Sequence, residues 1–133
     1  MFAIDKDSAI LKKDGERYII GSTFHQEDVS ISLDKPLYVE GFITCNGVLS
    51  SNVDIYAETI FAKKSIVVQG SIRAGGDICA RDIIAKGHLA TAKNIIASGC
   101  IDVGDYIEFG EEIRAKSLKM PKNGIRVSIY RNL

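Results

Sequence analysis

From Ile31 onward, aliphatic residues recur every five to seven positions, and a residue of the same class returns one turn later, after 17 or 18. The positions sort into three columns. The first holds Leu37, Ile55, Ile72, Leu89, Ile107 and Ile125, the second Ile43, Ile60, Ile78, Ile95 and Ile113, and the third Ile31, Val48, Ile66, Ile83, Ile101 and Leu118. Three short strands and three corners per coil produce this spacing. The pattern predicts an all-β fold, a single-stranded, three-sided parallel β-helix (a solenoid) of about five to six coils over residues 31–133. A helical stripe with a 3.6-residue period does not fit the columns, and a sandwich calls for strands 8 to 12 residues apart joined by hairpins.

Side chains at i and i+2 of a strand share a face. The residues two positions after each inward aliphatic are small or apolar almost throughout, as in Ala57, Ala74, Ala62, Ala80, Ala97 and Ala85. Gly41, Gly70, Gly76, Gly87 and Gly99 precede inward aliphatics by two, where a corner is expected to use glycine for positive φ. Residues 1–30 do not follow the columns. Ala9 to Ile20, centred on Asp14-Gly15, reads as a β-hairpin, and residues 1–30 are expected to cap the first coil. At the other end Ile125, Val127 and Ile129 alternate as in a last strand, which predicts edge-on association unless Arg126, Tyr130 and Arg131 blunt the edge.

Outward positions divide the faces by polarity. The third face reads Leu49, Val67, Ile84, then Asp102 and Lys119; the second reads Thr44, Phe61, Cys79, Ile96, then Arg114. Apolar residues stacked one coil apart predict a surface patch, either a contact with another chain or a bed for residues 1–30. The expected interaction surface is Leu49, Phe61, Val67, Ile84, Ile96, Ile125, Val127 and Ile129. On the first face Tyr38, Tyr56, Arg73, Ala90 and Glu108 read as a solvated surface.

Charge and composition narrow the partners. Seventeen basic and seventeen acidic residues balance to zero, with no basic stripe, so nucleic acid and anionic membranes are not expected as partners. No apolar run reaches transmembrane length and no signal-peptide pattern opens the chain, which makes a cytoplasmic location the expectation. Three cysteines at scattered spacings fit reduced thiols. His88, after Gly87 at a corner, is the one weak catalytic candidate, since hexapeptide-repeat acyltransferases use a histidine as base. His25 with Glu27 and Asp28, and Cys79 with Cys100, lack zinc spacing. No metal, cofactor or small-molecule substrate is indicated.

The run Ser65-Ile66-Val67-Val68-Gln69-Gly70-Ser71-Ile72-Arg73-Ala74-Gly75-Gly76-Asp77-Ile78-Cys79-Ala80, with Gly99-Cys100-Ile101-Asp102-Val103, resembles the G-x-I-x-A and G-D-I-x-A cadence of bactofilins, polymer-forming bacterial cytoskeletal proteins. The resemblance covers about residues 37 to 120. It implies a right-handed, three-sided β-helix that assembles end to end into nucleotide-independent filaments. The chain departs from that family in having only two prolines and an N-terminal segment that reads as folded. Two functions are therefore open: a structural protein that forms homo-oligomers or filaments through solenoid ends or its apolar face, and a trimeric acyltransferase or small-ligand binder using His88.

Overall fold

A computed structural model describes residues 1–128, all of whose regular elements are strands; the expected end position Ile129, with Tyr130 and Arg131, lies outside the described residues. The strands stack in three parallel ladders, giving a β-solenoid of about six turns. The first ladder runs through Leu37, Ile55, Ile72, Leu89, Ile107 and Ile125, and the second through Ile43, Ile60, Ile78, Ile95 and Ile113, each residue beside the next. Both match the sequence columns. From Leu37 to Ile107 the large residues of these ladders are buried, and the alanines two positions on lie beside them in one core. Alternating large and small side chains fill the bore without overpacking.

The third ladder differs at its start. Val29 pairs with Leu49, and Leu49 with Ile66. Leu49 is therefore fully buried and Val48 is not, the reverse of the sequence assignment. The corner through Asp34, Lys35 and Pro36 is longer than the matching turns of later coils. The longer corner moves the head of the inward column from Ile31 to Val29, while Leu49 keeps the same step from Ile43 and to Ile55 that Ile66 has from Ile60 and to Ile72; an inward Val48 would turn that strand's faces over.

Residues 1–30 contain the expected hairpin: Lys12–Asp14 pairs antiparallel with Arg17–Ile19 around Gly15, whose φ is 61°. The flanking strands also extend the solenoid. Phe2–Asp5 lies parallel to Val29–Ser32, and Arg17–His25 lies along Leu37–Cys45. At this end Phe2 stacks on His25, with ring centroids 3.8 Å apart, and Leu11 packs against the core. The segment thus adds a coil, with one shift of register between Gly21 and Thr23, and does not fold over the outward faces.

The corners explain most glycines. The Asp28 carboxylate accepts the backbone N–H of Val48 at 2.8 Å, Asp54 that of Ser71 at 2.7 Å, and Asp82 that of Cys100 at 3.0 Å. Gly47, Gly70 and Gly99 sit where a Cβ would strike those carboxylates. Of the corner glycines expected to need positive φ, Gly41 alone has it, at 138°. Gly70, Gly87 and Gly99 make room for a side chain of the preceding coil that caps a backbone donor of the next, whereas a Cβ on Gly76 would meet the Glu58 carbonyl oxygen.

Candidate interaction face

On the outward side of the second ladder Phe24, Thr44, Phe61, Cys79, Ile96 and Arg114 stand one above another, each pairing with the next. Strand alternation decides this: with Ile43, Ile60, Ile78 and Ile95 inward, the following residue must face out. Phe42, two positions before Thr44, joins the same face. Phe24, Phe42 and Phe61 keep 53%, 44% and 41% of their surface exposed. The Thr44 hydroxyl, within this column, is screened from water and has no hydrogen-bond partner among the described residues. An apolar strip several coils long is uncommon on a protein that works alone.

From the coil of Phe61 onward the strip is bordered by charge of largely opposite sign on its two sides. On the side where the chain arrives from the first ladder stand Glu40, Glu58, Asp77, Glu111 and Glu112; on the side where it leaves stand Lys63, Lys64, Arg81 and Lys116, with Asp82 paired to Arg81 and, in the first coil, Glu27 paired to the N-terminal ammonium beside Asp28. Lys93 is the exception on the acidic side, and it is paired to Glu111 at 3.3 Å. Arg114 reaches Glu112 at 2.9 Å and Arg81 reaches Asp82 at 3.3 Å, whereas Glu58, Lys63 and Lys64 form no ion pair among the described residues.

The expected surface residues separate into groups. Phe61 and Ile84 are exposed, and Val67 and Ile96 are half-buried on outward positions. Leu49 belongs to the core, and its place in the third outward column is taken by Ser50, beside Ser30 and Val67. Val67 and Ile84 lie across the basic corner of Lys63, Lys64 and Arg81 from Phe61, so the two faces do not merge into one apolar patch. Ile125 and Val127 sit at the solenoid's C-terminal end, in register with Ile107 and Phe109, with Val127 exposed. Phe24 and Phe42 were not anticipated. Phe24 lies in residues 1–30, which do not follow the columns, and only its pairing with Thr44 carries the alternation Phe42-Ile43-Thr44-Cys45 back to it.

His88 lies at a corner of the first ladder. Its ring stacks on Tyr106 at 4.7 Å, and Arg73 Nη2 lies 3.3 Å from its Nε2. Burial and the Arg73 charge both hold its pKa below the usual histidine value. A guanidinium can only donate, so this contact occupies the Nε2 lone pair and leaves the proton on Nδ1. A groove of about 490 Å³ runs along the first ladder beside the stacked Tyr38 and Tyr56, and His88 does not line it. Among the described residues no three His, Cys, Asp or Glu side chains are grouped to hold a metal ion, and no helix is long and apolar enough to cross a membrane.

These features define a parallel β-solenoid with one apolar face and charged borders. Compared with protein-family models, with curated proteins and with solved structures, the chain finds no match.

Proposed function

We propose that this chain is a structural protein that self-associates, in the manner its bactofilin-like cadence implies, into homo-oligomers or filaments, and that it is not an enzyme. The observation that carries this reading is the strip of three exposed phenyl rings on one sheet face. Such a strip gains from being covered, at about 25 cal/mol for each Å² of apolar surface removed from water. The exposed apolar side chains at the C-terminal coil, Leu118, Met120 and Val127, offer a second contact for end-to-end growth. Three free cysteines fit a reducing, cytoplasmic setting. The acyltransferase alternative has less support, because the one histidine it would use as base has its Nε2 engaged by an arginine.

Light scattering across a concentration series, with negative-stain microscopy of the same samples, tests the reading. Particles that grow with concentration are expected. A monomer at every concentration overturns self-association, and a sharp, concentration-independent trimer favours the acyltransferase alternative.

A further inference from the structure

We propose that two copies of this chain pack side by side through the second ladder, face to face, about a two-fold axis that runs along the solenoid. The proposal rests on the self-association reading and names the surface and orientation it uses. The occupant of the apolar strip is then a second copy of the same strip.

The orientation follows from the charged borders. Two identical sheet faces can meet about a two-fold axis in two simple ways. With the axis along the solenoid, the copies run parallel, each coil meets the same coil of its mate, and left and right borders exchange. With the axis along the strands, the copies run antiparallel and each border meets its own kind. One border is acidic, with Glu40, Glu58 and Glu112 exposed, and the other is basic from the coil of Phe61 onward, with Lys63, Lys64 and Lys116 exposed. The parallel arrangement sets Glu58 opposite Lys63 and Lys64 of the mate, twice by symmetry. The antiparallel arrangement sets Glu58 against Asp77 and Lys63 and Lys64 against Arg81 of the mate, and its opposite-sign meetings, Glu40 with Lys93 and Glu27 with Lys116, draw on groups already paired within the chain, which disfavours it.

Polarity along the solenoid axis selects the same orientation. The phenyl rings occupy the N-terminal half of the strip, and the Glu112–Arg114 pair occupies its C-terminal end. Parallel packing lays phenyl levels on phenyl levels and lets Arg114 of each copy reach Glu112 of the other. Antiparallel packing would press phenyl rings onto that ion pair, stripping its water without a matching partner. Glu58, Lys63 and Lys64, which form no ion pair among the described residues, are charges that parallel packing pairs.

The strip spans six coils at about 4.8 Å each and is about four residues wide, so it covers on the order of 400 Å² per copy. A standard interface covers about 800 Å² per partner, which places this contact among the weaker associations.

Sedimentation velocity up to about 1 mM chain, at about 0.05 M and about 0.5 M salt, tests the proposal on the full chain. The wild-type protein is expected to dimerise or assemble further, and to do so several-fold less tightly at the higher salt, because attractive borders are screened. Glu58→Lys, or Lys63→Glu with Lys64→Glu, should each weaken association roughly tenfold. Combining the three changes should restore it, and Phe61→Lys should remove this contact with the far-ultraviolet circular dichroism unchanged. Association that tightens with salt or with a single border reversal overturns the parallel orientation. Assembly indifferent to Phe61→Lys and to all border changes overturns this face while leaving self-association through the ends intact. A wild-type monomer throughout overturns both. The salt series uses the unaltered chain, so the orientation remains tested even where a variant fails to fold.

Discussion

At the scale of single residues, the corners join chemistry to shape most tightly. Asp54 accepts the Ser71 N–H at 2.7 Å, and Gly70 is bare because that carboxylate fills the place of its Cβ. Gly70→Ala should displace the carboxylate and leave the Ser71 donor unsatisfied, lowering stability by about 1–3 kcal/mol in urea denaturation. Gly21→Ala, at a site where an added Cβ meets nothing within 4 Å, should change it by less than about 0.5 kcal/mol. Asp82 gives the corresponding pH dependence. The Cys100 N–H, more than the neighbouring Arg81, holds its carboxyl below the usual aspartate value. A carboxyl depressed in the folded state adds stability above its unfolded pKa, and that stability is lost as pH falls through and below about 4. Asp82→Asn should flatten the acid side of a stability–pH profile measured by urea midpoints.

Individual strands show how register decides the fate of a side chain. Leu49 and Val48 are adjacent, both aliphatic, and either could head a third-column strand on composition alone. Pairing with Val29 and Ile66 places Leu49 in the core. Leu49→Ala should therefore cost about 2–5 kcal/mol in denaturant unfolding, with Val48→Ala clearly milder. A charge at Leu49 should unfold its coil and so reports on folding, not on assembly. The first and second ladders were legible residue by residue because their strands recur at even spacing from Leu37 onward. The third was legible only from Ile66, since the longer turn at Asp34–Pro36 breaks the period that would otherwise extend it back to Val29.

For the whole molecule, each coil touches only its neighbours, so stability is a sum along the axis and the ends are its weakest part. The N-terminal end is closed by the Phe2–His25 stack and by Lys12–Asp14 along the first ladder's edge. The C-terminal coil leaves Leu118, Met120 and Val127 exposed. Hydrogen exchange in dilute monomer should accordingly show the amides of Ile125 to Val127 and Ser117 to Lys119 exchanging well before those of Ile66 to Val68 and Ile83 to Ala85. Protection rising across Phe42 to Cys45 and Thr59 to Ala62 at high concentration would report the lateral contact independently of particle size.

The sequence by itself determined the solenoid, its three strands per coil and most of the core, because a repeated coil forces one side of every strand inward and the amino acids there must be aliphatic or small. It also held the apolar character of Phe61, Cys79 and Ile96, since outward positions follow from inward ones by alternation. Tertiary structure decided what depends on irregular turns and on distant neighbours. It drew Leu49 into the core, brought Phe24 and Phe42 onto the exposed strip and set Val67 and Ile84 apart behind a basic corner. It also placed an arginine against His88 and arranged acid and base on opposite borders. Those outcomes turn on how many residues each corner consumes and on which coil lies above which, quantities that the spacing of hydrophobic residues fixes only where the repeat is unbroken.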